Sequence, residues 1–260
     1  MRVHSLFTLR SCKALLAGAA LMMATVSGAA AQVTGYSQDF EALNAADPGA
    51  LSGDGWLGFG AVLGKFGFGP FGAPNGGPGF SAVASGEAGP AQGVQYINTY
   101  SDYNCCGATD GHSVGETVQA TVFQEQNITA ADIGKDVTFI FDGKRPSTAA
   151  GTALAPPSEG EAFILTLDPN NGFAITNFIS FDALTLSQED WSTHSLTLSL
   201  ADPLLNGQIL QFGFQNRATN FDNTGVFYDN INFVVPEPAS FVLLGLGAVA
   251  LPYRRRARLA

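Results

Sequence analysis

Residues that could carry out catalysis are few in this chain of 260 amino acids. A nucleophilic triad needs a histidine as its base, and beyond the N-terminal segment the chain has only His112 and His194. Neither stands beside a Gly-x-Ser-x-Gly turn, which exposes the serine in one large class of hydrolases. The 22 aspartates and glutamates make accidental carboxylate pairs unavoidable, so they do not by themselves indicate paired catalytic acids. We therefore expect no catalytic residues.

Two adjacent cysteines, Cys105 and Cys106, are the other reactive groups. The only further cysteine is Cys12, so the four ligands that a structural zinc site needs at usable spacing are absent from the sequence. In an oxidising compartment, neighbouring cysteines form either a strained ring with each other or bonds to other chains. We expect Cys105 and Cys106 to be oxidised, and the sequence leaves both pairings open.

Aromatic side chains offer a third chemistry, the stacking of sugars on their rings. Tyr100, Tyr103 and Asn104 combine two such rings with an amide, directly before the cysteine pair. Most large aromatic side chains belong to the core of a protein, because their size makes them good core residues. The loop-like composition of this stretch makes it our candidate site for a neutral sugar.

Charge is distributed very unevenly along the chain. Seven of the 12 lysines and arginines lie in the first 13 or the last seven residues, whereas all 22 acids lie between Asp39 and Glu237. Residues 32–238 therefore carry five basic and 22 acidic side chains, a net charge of −17. Such a surface repels nucleic acid and anionic lipid and attracts cations such as extracellular calcium. We expect no nucleic-acid partner.

The first 31 residues have the three parts of a secretory signal peptide. Basic side chains between Arg2 and Lys13 precede an apolar stretch over residues 14–26, and residues 29–31 are three alanines. This order predicts cleavage before Gln32 and export of everything that follows.

The last 25 residues combine a turn, an apolar stretch and a basic end. The turn consists of Pro236, Glu237 and Pro238, and the basic end begins with Arg254, Arg255 and Arg256. Residues 239–253 between them carry no charge. As a helix they would span roughly 22 Å, which is short for a hydrocarbon core of about 30 Å. Because arginines stay on the cytoplasmic side, we expect the preceding chain to lie outside.

This arrangement closely resembles the PEP-CTERM sorting signal of Gram-negative bacteria. The resemblance covers residues 236–260, and it implies transient anchoring in the inner membrane and processing by an exosortase that cuts near the Pro-Glu-Pro turn. It also implies a place in exopolysaccharide or biofilm matrix biology, at the cell surface or outside the cell. We therefore expect a signal peptide over residues 1–31, a body over 32–235 and a sorting signal over 236–260.

The composition of the body favours β structure, because phenylalanine and glycine are abundant and charged residues are few. Alternation with a period of two is clearest from Asp136 to Asp142, and turn sequences such as Asp168 to Gly172 separate the predicted strands. The stretch 53–93 is rich in glycine and proline and predicts irregular loops with short strands. About nine strands with turns between them predict an all-β sandwich.

The body also resembles galactose-binding-like jelly rolls, a group that includes many carbohydrate-binding modules. The resemblance rests on Asp39-Phe40-Glu41 near the start, on Trp191 before a predicted strand and on residues 227–231 near the end. It implies a jelly-roll-like sandwich with a structural calcium between the first and last strands, held by Glu41 and Asp229. The alternative is that each acid faces solvent or caps a turn.

The two resemblances together predict an exported protein with one folded domain. We expect a role in matrix structure or in binding neutral polysaccharide, without catalysis. A secreted hydrolase that acts on polysaccharide is the alternative.

Overall fold

The computed structural model describes residues 32–70, 80–101, 115–148, 152–220 and 222–236, all within one unit of the chain. The signal peptide predicted over residues 1–31 and the apolar stretch over 239–253 lie outside these ranges. Within them, no helix is long and apolar enough to cross a membrane.

The described chain folds almost entirely into β-strands. The elements in chain order are β1 (Tyr36–Gln38), α1 (Ala50–Gly53), β2 (Leu57–Val62), β3 (Phe66–Pro70), β4 (Ser81–Ser85), β5 (Gln95–Thr99), β6 (Val118–Asn127), β7 (Asp136–Lys144), β8 (Glu159–Asp168), β9 (Ala174–Asp182), β10 (Ser192–Ser199), β11 (Ile209–Ala218) and β12 (Val226–Val234). Three short 3-10 turns lie at Pro169–Asn171, Ala183–Thr185 and Pro203–Leu205.

The strands form two antiparallel sheets. Sheet A has the order β10-β7-β12-β5-β4, with β1 paired to β12, and sheet B has the order β3-β2-β6-β11-β8-β9. The first and last strands are neighbours, since Tyr36 lies opposite Phe233 and Gln38 opposite Ile231. The predicted all-β, jelly-roll-like sandwich is confirmed.

Aromatic side chains from both sheets fill the space between them. On β11 of sheet B, Leu210, Phe212 and Phe214 point inward, as the period of a strand requires. The ring of Phe214 stacks on that of Tyr228 in sheet A with centroids 3.6 Å apart. Trp56 is completely buried and stacks on the ring of Phe214, 6.1 Å away between centroids. One contiguous core therefore joins the two sheets.

The stretch over residues 53–93 contains more regular structure than its composition predicts. It contributes β2, β3 and β4, which brings the number of strands in the described ranges to twelve rather than about nine. The reason is pairing with a partner that is distant in sequence, because Leu57–Val62 lies antiparallel to Val118–Phe123. Glycines in β2 are tolerated because the neighbouring strand fixes the backbone.

Aspartate side chains begin each of the three 3-10 turns. The carboxylates of Asp168, Asp182 and Asp202 each accept a hydrogen bond from the backbone N–H two residues later, at 2.9 Å in all three cases. Such short-range bonds compete with the strand ladder and end it. These three of the 22 acids thus serve as turn residues.

Candidate functional site

The sugar-binding cluster predicted from the sequence is described only at Tyr100. This residue follows β5 and is half-buried, and its hydroxyl donates to the backbone oxygen of Ser81 at 3.4 Å. Tyr103, Asn104, Cys105 and Cys106 lie outside the described residues. Sugar stacking at this cluster and oxidation of the cysteine pair therefore stay predictions.

Asp229 is a completely buried carboxylate with one unsatisfied oxygen. Its Oδ1 accepts a hydrogen bond from the backbone N–H of Asn230 at 2.7 Å, whereas its Oδ2 has no partner in the described structure. The pairing of β12 with β7 shifts register after Asp229, and Asn230 adopts a left-handed φ of 47°. Such a bulge turns a side chain away from the regular alternation. A buried acceptor without a hydrogen-bond donor is stabilised by a bound proton or a bound cation.

Other carboxylates surround Asp229. Burial raises its pKa to about 7, and the negative charges of Asp142, Asp39 and Glu41 act in the same direction, against the hydrogen bond from Asn230. Asp142 lies directly opposite Asp229 in the sheet. The predicted pair, Glu41 and Asp229, is thus close enough to interact electrostatically. We call Asp39, Glu41, Asp142 and Asp229 the carboxylate cluster.

Hydrogen bonds within the protein satisfy Asp142, in contrast to Asp229. Its oxygens accept from Gln92 Nε2 at 2.7 Å, Asn230 Nδ2 at 2.8 Å and Thr193 Oγ1 at 2.5 Å. Of these two buried carboxylates, Asp229 is therefore the one with an oxygen that no described group satisfies.

Glu41 has a different environment, because it is exposed. One of its oxygens, Oε1, accepts from the backbone N–H groups of Val94 and Gln95, both at 2.6 Å. These two bonds hold the pKa of Glu41 below its usual value. Glu41 fastens the segment over residues 86–94, which we call the strap, to the start of the domain.

Whether the carboxylate cluster fits a calcium ion depends on its oxygens. Calcium takes six to eight oxygen ligands, and backbone carbonyls can provide several. In the described part of the chain, no group of three or more His, Cys, Asp or Glu side chains is arranged to hold a metal. The Oδ2 of Asp229 is an unsatisfied acceptor, and two neighbours in sequence of the predicted pair, Asp39 and Asn230, line a pocket of about 490 Å³.

A second site, which the sequence reasoning missed, lies on the face of sheet B that points away from the core. Its floor is apolar, since Phe123 and Phe163 are buried there on either side of Gly213. A Cβ at position 213 would collide with the carbonyl oxygen of Val122 and lie 2.6 Å from the Cα of Phe123. Only glycine lets the central strands approach so closely.

Beside this floor runs a row of hydrogen-bonded polar side chains from three strands. Gln119 Nε2 donates to Gln215 Oε1 at 2.7 Å, and Gln215 Nε2 donates to Glu161 Oε1 at 2.7 Å. Arg217 Nε donates to Gln119 Oε1 at 3.0 Å. Because each amide is held at both ends, the donors and acceptors have fixed directions.

The row borders a pocket of about 290 Å³, which we call the outer pocket. Its lining residues are Glu159, Gly160, Glu161, Ser180, Asp182, Leu184, Gln215 and Arg217. Carboxylate, amide, hydroxyl and guanidinium groups thus converge beside an apolar floor, an arrangement that suits a ligand with many hydroxyl groups. The signal in the sequence was the polar residues at alternate positions of β6 and β11, such as Gln119, Gln215 and Arg217.

The histidine within the described residues, His194, is built into a packed position. Its ring lies against those of Phe181 and Phe141, with centroid distances of 4.1 and 5.8 Å, and burial lowers its pKa. Its Nε2 is 2.8 Å from Ser192 Oγ. The other candidate base, His112, lies outside the described residues.

Residues 234–258 match the PEP-CTERM protein-sorting motif, which confirms the sorting signal predicted for the C-terminus. The match begins at the last residue of β12, and Pro236, the last described residue, is exposed. Such a motif marks proteins that are exported, and an exosortase is the processing enzyme that it implies. No curated protein matches the chain.

Several solved structures are similar to part of this chain. Carbohydrate-binding modules from the β-sandwich superfamily are 16% identical with a TM-score of 0.38, covering 69% of this chain and 57% of theirs. The tailspike protein 4 of bacteriophage CBA120 is 10% identical with a TM-score of 0.41, covering 75% of this chain and 22% of its own. A cyclase from Fischerella sp. TAU is 14% identical with a TM-score of 0.41, covering 70% and 85%. This chain thus spans 57% and 22% of the first two, and these likenesses carry no function across.

Asp229 should make stability depend on pH. In calcium-free buffer, Asp229 is protonated in both states below about pH 4, and from there to about pH 7 only the unfolded chain loses this proton. The free energy of unfolding should therefore fall with rising pH across that window and level off above it. Asp229→Asn should remove this contribution and exceed the wild type in stability at pH 8, as measured by chemical denaturation at a series of pH values.

The control for this experiment is Asp136→Asn, which neutralises an exposed aspartate of β7 in the same sheet. Its stability profile should run parallel to that of the wild type. Parallel profiles for wild type and Asp229→Asn would contradict the uncompensated charge at position 229.

Proposed function

We propose that this chain is a surface protein of a Gram-negative cell, processed by an exosortase, whose β-sandwich binds neutral polysaccharide without cleaving it. The observation that carries the binding proposal is the outer pocket, where polar side chains fixed by hydrogen bonds converge. The sorting motif at residues 234–258 supports delivery to the place where such polymers occur.

The order of elements supports this route of delivery. The motif begins at Val234, the last residue of β12, so the described strands precede the segment that we propose as a transient inner-membrane anchor. Removal of that segment near Pro236 would leave every described strand intact. The product would be a folded, negatively charged domain at the cell surface or outside the cell.

The electrostatics of the outer pocket favour an uncharged ligand. Three carboxylates, those of Glu159, Glu161 and Asp182, stand against one guanidinium, that of Arg217. An acidic polymer would be repelled by this pocket and by the net charge of −17 over residues 32–238. Hydroxyl groups of a neutral sugar can donate to the carboxylates, and an apolar sugar face can pack on Leu184, which also lines the pocket.

The carboxylates of the outer pocket also explain why a hydrolase is the alternative function. Glu161 and Asp182 lie directly opposite each other on β8 and β9. Each already has a structural bond, since Glu161 accepts from Gln215 and Asp182 accepts from the N–H of Leu184 at 2.9 Å. These bonds favour a binding role, and turnover that is lost in Glu161→Gln would instead favour the hydrolase.

We further propose that the carboxylate cluster holds a structural calcium ion. Asp229 would supply its unsatisfied Oδ2, and Glu41 would supply the oxygen that does not bind the strap. The ion would supply the positive charge that this cluster lacks, and so keep Asp229 ionised at neutral pH. It would also fasten the first strand, the last strand and the strap together.

Removal of residues 236–260 should change where the protein goes. The deletion takes away both the apolar stretch and the arginines that hold its orientation, so the folded body should be released to the periplasm in soluble form. Cell fractionation with detection of the mature chain would measure this. Deleting only residues 259–260, which follow the arginines, should change nothing. Identical partitioning and processing of the two shortened chains would contradict the sorting proposal.

Substitution in the outer pocket should weaken binding of neutral polysaccharide. Gln215→Ala removes one fixed amide, and the loss of about 1 kcal/mol per hydrogen bond corresponds to roughly fivefold weaker retention. Gln211→Ala is the matched control, because Gln211 lies on the same face of β11 but donates to Glu125 at 2.7 Å, outside the pocket. Affinity electrophoresis across a panel of neutral glycans would compare the two.

Equal loss in both glutamine variants would place the site elsewhere, and Tyr100 with Tyr103 would then be the next candidates. If the wild type binds no glycan of the panel, a role in matrix structure is favoured instead. Release of sugar from any substrate would overturn the proposal of a protein without catalytic activity.

Calcium should raise the melting temperature of the folded body. An ion that binds only the native state adds about 2.7 kcal/mol at a hundredfold excess over its dissociation constant. Asp229→Asn should abolish most of this shift, and Asp136→Asn should keep it. Identical melting curves with calcium and with chelator in the wild type would rule out the proposed ion.

A further inference from the structure

The last strand of sheet B, β9, has one long side that no described strand covers. It pairs with β8 and ends the order of the sheet. Over its nine residues, Ala174–Asp182, it contains no proline, and Asp182 at its end is its only charged residue. Edge strands commonly carry lysine, proline, a bulge or a covering segment, because an open edge is a template for pairing with another chain. Of these, β9 has a bulge at Thr176, which leaves the stretch from Asn177 to Asp182 in regular register with β8.

The side chains along β9 differ from those on the edge of sheet A. On β10, the exposed residues are the hydroxyl-bearing Thr193, Ser195, Thr197 and Ser199. On β9, by contrast, Ile175 is 60% exposed and Phe178 is 46% exposed. The apolar strip continues into the turn before β9, where Phe173 is 59% exposed.

Charge decides which partner this edge fits. Two copies of a domain with a net charge of −17 repel each other over most of their surface. The stretch from Ala174 to Phe181 carries no charge, so two such edges can approach without opposing carboxylates. A strongly cationic partner would be drawn to the acidic surface elsewhere rather than to this neutral strip.

From these observations we infer that β9 joins two copies of this chain edge to edge, antiparallel about a two-fold axis. With the axis at Phe178, the ring of Phe178 faces that of the second copy, and Asp182 lies opposite Ala174 of the second copy. The unpaired backbone groups of the two edges then form a ladder, and the apolar strips cover each other. The two sheets B become one continuous sheet.

This interface goes beyond the proposed function and does not depend on it, although it sets both outer pockets on the same face of one sheet. Glycan binding that depends on Gln215 can hold or fail whether or not the copies pair. In the other direction, pairing through Phe178 can be measured with no sugar present.

The test replaces Phe178, which lies at the two-fold axis, with a charged residue of either sign. Self-association is then measured by sedimentation of the protein as the cell exports it. The wild type should be a dimer that tightens as salt screens its negative charge. Phe178→Lys and Phe178→Asp should each weaken self-association roughly a hundredfold, because like charges then face each other in place of two buried rings. An equimolar mixture of the two variants should restore the dimer through the opposite charges.

Leu63→Lys is the matched control, because Leu63 is 48% exposed but lies between β2 and β3, at the opposite end of sheet B from β9. It should remain a dimer. Restoration in the mixture separates pairing at β9 from simple loss of folding, which mixing cannot repair. A monomeric wild type, which would mean that something other than a second copy covers the edge, would overturn the inference. So would assembly that persists in both single variants, or a mixture that stays monomeric.

Discussion

The ring of Tyr228 in β12 stacks on that of Phe214 in β11 at an interplanar angle of 11°, and this contact joins the two sheets at their centre. Both rings are completely or almost completely buried, and Phe141 packs edge-on against each of them. Burial of so much aromatic surface is the main source of stability in a domain that has few ion pairs among its described residues.

Because Tyr228 must point inward, its neighbours on β12 point outward, and this constraint creates the carboxylate cluster. Asp229 would be exposed on a bare sheet. The strap covers that face instead, fastened by Glu87, which accepts from Lys144 Nζ at 2.9 Å and from Trp191 Nε1 through its backbone oxygen at 2.9 Å. A carboxylate in the last strand is thereby enclosed without a cation of its own. Folding of the strap therefore buries the carboxylate of Asp229. A bound cation would stabilise both the folded strap and the ionised carboxylate.

The same alternation shapes the face of sheet B that points away from the core. Strands that direct Phe212 and Phe214 inward direct Gln211, Gly213 and Gln215 outward. Gly213 lets Phe123 and Phe163 come together over the centre of the sheet, and the glutamines are left to bond laterally. A polar row, an apolar floor and an uncovered edge at β9 therefore lie side by side on one surface. This arrangement fits the two proposals, that the domain binds neutral polysaccharide and that two copies pair through β9.

The sequence by itself determined the C-terminal sorting motif and the class of fold, whereas the signal peptide over residues 1–31 stays a prediction. The order of turn, apolar stretch and arginines lies within 25 residues, and the period of two lies within the stretch from Asp136 to Asp142. Both patterns are therefore visible without knowing which distant residues they contact. The neighbouring positions of Glu41 and Asp229 followed from the resemblance to jelly rolls. Only the tertiary structure showed that Asp229 is buried, because the strap that covers it begins more than a hundred residues earlier in the chain. The outer pocket was likewise hidden, since Gln119, Glu161 and Gln215 meet only through the order of strands in sheet B. Strand order is set by how the whole core packs, and no local pattern encodes it.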